Sequence, residues 1–284
     1  MPMIMTAPTQ IVLTTDFSPA AMAAVPITGR LARMFKAKVT LLHIFRYVPK
    51  HRYPIPVEWM VEIIRRDVRS KLVEAKRILH DAGLETEIMV LEDGIPAQQI
   101  LTFVKSCAAP LLVMGTHAAG GMERFILGST AEEVLRQACC PVVTVGPRVS
   151  SVVQTDIPVQ KILYATDFSE ASLAAAGLVD LLRQSTGAHL RILHVSQGYT
   201  PKMTGETDRF DVVRKVLATK GGVECVTLDE THVAQAVIEE AERYSADLVV
   251  LGVKRASAFA AHAVQGTAFQ IIAASPCPVL TISS

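Results

Sequence analysis

Residues 114–130 read MGTHAAGGMERFILGST and join a strand to a helix through a glycine-rich loop. The apolar run 111–113 before them is typical of a buried strand, and the amphipathic segment 131–137 after them is typical of a helix. A helix that begins after such a loop has free backbone N–H groups at its N-terminus, and glycines let an anion approach them. Because glycine-rich loops are also common as plain turns, this stretch alone leaves phosphate binding and a simple turn both open.

Length and composition limit the class of protein. The chain has 284 residues, of which 50% are hydrophobic and 19% charged, and this predicts two globular domains with sizeable cores. The formal net charge of +1 argues against a nucleic-acid partner bound through massed Lys and Arg. The sequence has no apolar run of membrane-spanning length, no signal-peptide features at its start and no CxxC among its five cysteines. These features predict a reduced, cytoplasmic protein without a membrane partner.

The chain contains an internal repeat. Between 10–45 and 161–196, 12 of 36 ungapped positions are identical, including the tetrapeptide TDFS and the strand histidines His43 and His194. The later parts match at an offset of 137 residues, with LLVMG at 111–115 against LVVLG at 248–252. A repeat of this kind predicts two copies of one structural unit, and it is a stronger indication of the architecture than any single motif. We call 10–145 the first repeat and 161–282 the second.

Each repeat predicts an alternation of five strands and four helices. Ser18 is suited to the N-cap of the first helix and Pro19 to its first turn, so a helix is expected to continue to Phe35. The alternation predicts an α/β protein with two doubly wound, five-stranded parallel-sheet domains of strand order 3-2-1-4-5, a Rossmann-like fold. We expect domains at 1–148 and 161–284, with 149–160 as the linker. Strands are expected near 10–15, 38–45, 86–91, 110–116, 141–146, 161–166, 189–195, 223–228, 247–252 and 278–282.

This strand order places a binding crevice between the ends of strands one and four, where open α/β sheets take their ligands. Strand one ends at Thr14, Thr15 and Asp16, and strand four ends at Met114 and Gly115. An acidic group suited to ribose hydroxyls therefore faces a loop suited to phosphates. The pairing favours a nucleotide site, although a flavin or a phosphorylated small molecule would use the same crevice.

Several short motifs, taken together, resemble one known family. The motifs are TDFS after strand one, LLHI on strand two, GIPA at 94–97, GTH at 115–117, LGSTAE at 127–132 and CPVV at 140–143. The resemblance is to the universal stress protein family, whose fold is adenine nucleotide alpha hydrolase-like, and two such domains resemble its tandem type. It covers nearly all of the chain outside the linker and the proline-rich loop 46–56.

The resemblance implies ATP binding in the first repeat, with or without Mg²⁺. ATP-binding members of the family carry Gly-x2-Gly-x9-Gly-Ser/Thr, and the first repeat departs from this pattern only at Ala118. The extra methyl group matters if that position needs positive φ or direct contact with phosphate. The resemblance places Asp16 beside the ribose and the backbone of Ile44 and Met114 beside adenine. The implied nucleotide-binding residues are Thr14, Thr15, Asp16, Ile44, Met114, Gly115, His117, Ala118, Gly128, Ser129 and Thr130.

The second repeat has lost part of the phosphate pattern. Arg255 stands where the second glycine belongs, and Gln265 and Gly266 stand in place of Gly128 and Ser129. These changes predict that the phosphate-binding loop of the second repeat is closed and that no nucleotide binds there.

The last strand of each repeat is apolar and carries no charge that would protect a sheet edge. The resemblance implies that these strands, 142–145 and 279–282, pair with each other inside the chain, and a homodimer of the tandem chain stays open.

The sequence has no nucleophile elbow, no P-loop and no metal-ligand spacing, so we expect no catalytic residue, no metal site and at most slow, incidental ATP hydrolysis. A stress-response role is the expected function. A nucleotide-free interaction module, binding another small molecule or a protein partner, is the alternative.

Overall fold

A computed structural model describes residues 6–45, 57–92, 94–108, 110–116, 127–149, 157–197, 209–218, 221–254 and 266–283. His117, Ala118, Arg255 and Gln265 lie outside these ranges, as does the proline-rich loop. The first repeat contains β1 (Gln10–Thr14), α1 (Pro19–Phe35), β2 (Lys38–Phe45), α2 (Val57–Asp81), β3 (Thr86–Glu92), α3 (Pro96–Ser106), β4 (Pro110–Gly115), α4 (Ser129–Gln137) and β5 (Val142–Val145). The second contains β6 (Lys161–Ala165), α5 (Glu170–Ala174), α6 (Ala176–Thr186), β7 (His189–Ser196), α7 (Phe210–Arg214), β8 (Val223–Asp229), α8 (Val233–Tyr244), β9 (Leu248–Val253), α9 (Thr267–Ala274) and β10 (Val279–Ser283).

The strands of the described residues form one sheet in the order β3-β2-β1-β4-β5-β10-β9-β6-β7-β8. Within each repeat the strands are parallel and follow the order 3-2-1-4-5, so the predicted doubly wound α/β fold is confirmed. Successive residues of a strand face opposite sides of the sheet. Ile11 and Leu13 accordingly belong to one hydrophobic core and Val12 to the other, and helices cover both faces.

The two repeats meet through their last strands. β5 and β10 are antiparallel neighbours, with Val143 opposite Leu280. Two buried hydroxyl groups reinforce this pair, since Thr144 Oγ1 donates to the Val279 carbonyl (3.1 Å) and Thr281 Oγ1 donates to the Val142 carbonyl (3.3 Å). The two threonines occupy matching positions of the repeats, so the contact is pseudo-symmetric.

The first helix of the second repeat is divided, whereas the first repeat has one continuous helix. The cause is Tyr164, whose hydroxyl donates to the Ser172 carbonyl at 2.6 Å. The same carbonyl accepts the Ala175 N–H at 3.1 Å, a shorter-range bond than in a regular α-helix. The first repeat has Leu13 at the position that matches Tyr164, and its side chain cannot donate a hydrogen bond.

Candidate functional site

A cavity of about 300 Å³ lies at the carboxyl ends of β1 and β4, where the strand order predicts a ligand site. Every predicted nucleotide-binding residue that the structure describes lines it: Thr14, Thr15, Asp16, Ile44, Met114, Gly115, Gly128, Ser129 and Thr130. The sequence does not predict the remaining lining residues as ligand contacts, although some belong to the motifs above; they follow from the packing of α1, β2, α3 and α4 around the crevice. They are Ala21, Leu42, His43, Pro96, Ile100 and Ala131.

The turn after β1 fixes the position of Asp16. Thr15 Oγ1 accepts the Phe17 N–H (3.0 Å), and Asp16 Oδ1 accepts the Ser18 N–H (2.9 Å). Ser18 in turn caps α1 by accepting the Ala21 N–H, and Pro19 opens the helix, as the sequence predicts. Phe17 has φ of 62°, a left-handed conformation that a bulky residue rarely adopts, so the turn needs support from its surroundings.

His43 provides that support. Its Nδ1–H donates to the Thr15 carbonyl at 2.8 Å, and its ring contacts the Phe17 ring at a centroid distance of 4.7 Å. Burial lowers the pKa of His43, against the opposing effects of the Thr15 hydrogen bond and the nearby Asp16 carboxylate. His194 makes the same carbonyl bond in the second repeat, at 2.9 Å. Both strand histidines therefore have a structural contact that holds the turn.

The lowered pKa of His43 predicts a pH dependence of stability. The unfolded chain binds this proton near pH 6.5 and the folded chain binds it only at lower pH, so His43 costs stability as the pH falls below about 6.5. His43→Asn keeps an N–H donor but does not titrate. We expect its free energy of unfolding to fall less than that of the wild type between about pH 7.5 and about pH 5.5, measured by urea denaturation. His80→Asn changes an exposed histidine of α2 and is the control; an unchanged pH dependence in His43→Asn would contradict the assignment.

The N-terminus of α4 forms the other side of the crevice. Gly128 is its N-cap, and none of the side chains that the structure describes caps the free N–H groups of the first turn. These groups and the helix dipole favour an anion. Glu132, the acidic residue of that turn, is paired with Arg136 at 2.8 Å, which offsets its negative charge.

Gly115 has a packing role that sequence reasoning missed. A Cβ atom there would lie 2.4 Å from the Ala21 backbone nitrogen, because α1 begins directly against the end of β4. Gly252 of the second repeat is equally constrained, with its Cβ position 2.1 Å from the Ala171 carbonyl oxygen. The absence of a side chain at both positions is therefore required with or without a ligand.

The model of the universal stress protein family matches the chain twice, at residues 8–146 and 158–283. The chain belongs to the universal stress protein family. A universal stress protein from Methanocaldococcus jannaschii is 32% identical over 138 residues, which cover 48% of this chain and 81% of that protein.

Solved structures agree with this membership at the level of the fold. The crystal structure of a universal stress protein from Archaeoglobus fulgidus DSM 4304 superposes with a TM-score of 0.77 at 20% identity and covers 97% of this chain and 98% of its own. A functionally unknown protein from Pseudomonas aeruginosa PAO1 superposes with a TM-score of 0.62 at 14% identity. The match covers 98% of this chain and 93% of that protein's chain. The fold of this chain thus extends over more than nine tenths of both of these other chains.

Two features are absent from the part of this universal stress protein that the structure describes. None of the helices that the structure describes is both long enough and apolar enough to cross a membrane. In the same ranges, no group of three or more His, Cys, Asp or Glu side chains is arranged to hold a metal ion.

The second repeat also has a crevice among its described residues, but residues 255–265, on which the predicted closure depends, lie outside them, so the closure stays a prediction. A cavity of about 520 Å³ lies at the carboxyl ends of β6 and β9. The N-cap of α9 is Gly266, with φ −61° and ψ 145°, nearly the conformation of Gly128 (−64°, 147°). The N-cap glycine is therefore present but lies one residue later than the repeat offset predicts, since α9 is one residue shorter than α4.

Proposed function

We propose that this universal stress protein binds an adenine nucleotide in the crevice of the first repeat, as ATP with or without Mg²⁺. Occupancy would bias a regulatory or protective interaction in the stress response. One observation carries the proposal: a single crevice combines an apolar wall, the Asp16 carboxylate and the uncapped N-terminus of α4. These three parts match the base, the ribose and the phosphates of a nucleotide.

The apolar wall is suited to the base. Leu42, Ile100 and Met114 are buried, and Ile44 is half-buried beside them. The backbone of the strand ends supplies hydrogen-bonding groups at the rim of this wall. The cavity volume of about 300 Å³ falls at the lower end of the range of small-molecule sites, about 300–1,000 Å³.

Asp16 and α4 are suited to the polar parts of the nucleotide. The Ser18 N–H orients the exposed Asp16 carboxylate through Oδ1, and a carboxylate oxygen accepts hydrogen bonds from ribose hydroxyls. The first-turn N–H groups of α4 and the hydroxyls of Ser129 and Thr130 would hold the phosphates. Any Mg²⁺ would be held mainly by those phosphates and by water.

The proposal is binding and not catalysis. His43, the histidine of the crevice, uses its Nδ1–H to hold the Thr15 carbonyl, and burial lowers its pKa. Slow ATP hydrolysis would be incidental. We place the protein in the cytoplasm, which the five free cysteines support. Sedimentation velocity would decide whether the tandem chain also forms a homodimer.

Nucleotide released from the purified protein on denaturation tests the proposal, together with stabilisation of the protein by added ATP. Asp16→Ala removes a charged acceptor and is expected to weaken ATP binding by about 10- to 100-fold. Gly128→Val places a branched side chain at the mouth of the anion site and is expected to abolish binding. The matched control is Glu85→Ala, an exposed acidic residue before the amino end of β3.

The outcome separates the proposal from its alternative. If the wild-type protein releases no nucleotide and ATP does not raise its melting temperature, the nucleotide-free interaction module is the better description. If Asp16→Ala and Gly128→Val bind ATP like the wild type, the nucleotide lies elsewhere in the protein.

A further inference from the structure

The crevice of the second repeat differs in chemistry from that of the first. Its walls are largely aliphatic, with Leu193, Val195 and Val237 on β7 and α8 and Leu251 at the end of β9. Its volume of about 520 Å³ exceeds the 300 Å³ of the first crevice. Leu135 and Arg136 of the first repeat complete its lining, so both repeats contribute to one cavity.

Two of the hydroxyl groups that line the first crevice are absent at the positions of the second that match by sequence offset. Thr14 corresponds to Ala165, and Ser129 corresponds to Gly266 at the repeat offset. Both replacements line the second cavity and carry no polar side chain. The second crevice keeps the hydroxyls of Thr166 and Thr267 and gains that of Ser172, so it differs from the first in its larger apolar surface and not in its number of hydroxyls.

Two positive charges border this apolar cavity. The Arg136 guanidinium reaches across from α4, with its carbon 5.2 Å from the centroid of the Phe269 ring. Its Nε and Nη2 both donate to Glu132 Oε1, which offsets part of its charge, and these two bonds do not use Nη1. Lys254 lines the cavity just after β9 and is exposed.

These charges are particular to the second crevice. At the repeat offset, Arg136 corresponds to Ala273 and Lys254 corresponds to His117. The N-terminus of α9, for which the described residues provide no side-chain cap, begins at Gly266, which also lines the cavity, and adds a partial positive charge. Charge complementarity thus favours an anionic group at this end of the cavity.

Asp167 determines which end of the ligand carries the charge. It lines the cavity at the end of β6, and its Oδ1 accepts the Ser169 N–H at 2.9 Å. Burial raises the pKa of Asp167, but hydrogen bonds from Ser169 and Ser172 outweigh this effect and keep the pKa below its usual value. The negative charge of Asp167 repels an anion, so the anionic group of a ligand belongs beside the cations Arg136 and Lys254 and not beside this carboxylate.

We infer that the second crevice binds an amphipathic monoanion, with an apolar body against the aliphatic walls and a carboxylate beside Arg136 and Lys254. A medium-chain fatty acid is the ligand class that fits this combination. The inference is independent of nucleotide binding in the first repeat, because it rests on residues of the other cavity.

Titration calorimetry of the full-length protein with decanoate, kept below its micelle-forming concentration, tests the inference. We expect one decanoate per chain, with decanol binding more weakly and decyltrimethylammonium not binding. Replacing both cations, as Arg136→Gln with Lys254→Gln, should weaken decanoate binding by about 10- to 100-fold. Binding of decanol should change little in this double variant. Lys105→Gln, an exposed lysine of α3, is the matched control for charge and should bind decanoate like the wild type.

A second variant tests the cavity itself. Ala165→Leu fills the apolar cavity and should abolish decanoate binding while the melting temperature shows that the protein is folded. Saturating ATP should leave decanoate binding unchanged. The inference is overturned if decanoate does not bind, if it binds equally well to the double variant, or if ATP displaces it; displacement would assign the second crevice to a nucleotide.

Discussion

Val143→Asp is expected to abolish the cooperative folding of the chain. Val143 is fully buried, and its strand pairs with β4 on one side and with β10 on the other. A carboxylate there has no route to water, and burying it unpaired costs about 4 kcal/mol or more. Because folded proteins are stable by only about 5 to 15 kcal/mol, urea denaturation followed by circular dichroism should show most or all of the folded state lost. Leu280 lies directly opposite Val143, so Leu280→Asp should cause the same loss of the folded state.

The control is the same change on an edge strand. Val90 lies on β3 with 39% of its surface exposed, so Val90→Asp should alter the free energy of unfolding by less than about 1 kcal/mol. Hydrogen exchange tests the strand pairing directly, since the amides of β5 and β10 should be far better protected than those of β3. The pairing of β5 with β10 in one continuous sheet would be contradicted if Val143→Asp melts and sediments like the wild type. Fast hydrogen exchange of the β5 and β10 amides would contradict it as well.

The fold could be predicted because its signals are local and occur twice. Short apolar runs separated by helical segments give strand limits within one or two residues of those observed, as for β2 and β7. Ser18 and Pro19 mark the start of α1 by capping chemistry that depends only on neighbouring residues. The crevice could be predicted for the same reason, since the strand order alone brings the ends of β1 and β4 together.

What could not be predicted depends on contacts between distant parts of the chain. Counting at a fixed offset places Gly266 one residue away from its role as N-cap, because the length of a helix is set by packing and not by the repeat. Arg136 lines the cavity of the other repeat only because β5 and β10 bring α4 and α9 together. Tyr164 divides a helix through a hydrogen bond to Ser172 that no helical pattern records.

Gly115 is another residue whose role depends on a contact with a distant part of the chain. Its substitution has the second large expected effect on stability. Gly115→Ala is expected to destabilise the protein by about 3 kcal/mol in the absence of nucleotide. The new Cβ would lie 2.4 Å from the Ala21 nitrogen and 2.5 Å from the Ala20 carbonyl carbon, so the start of α1 must move away from β4. Backbone atoms cannot rotate aside as a side chain can. Urea denaturation of the nucleotide-free protein measures the loss.

Gly252→Ala separates packing from ligand contact. Gly252 lies in the repeat for which the sequence predicts no nucleotide, yet its Cβ position is 2.1 Å from the Ala171 carbonyl oxygen, so a comparable loss is expected. Gly177→Ala is the matched control, because no atom lies within 4 Å of its Cβ position and alanine favours the helix by about 0.5–1 kcal/mol. If Gly115→Ala lowers only ATP affinity while Gly252→Ala changes nothing, the glycines serve the phosphates. Equal destabilisation of both variants without ligand means that the close approach of α1 to β4, repeated by α5 against β9, is what forbids a side chain at these positions.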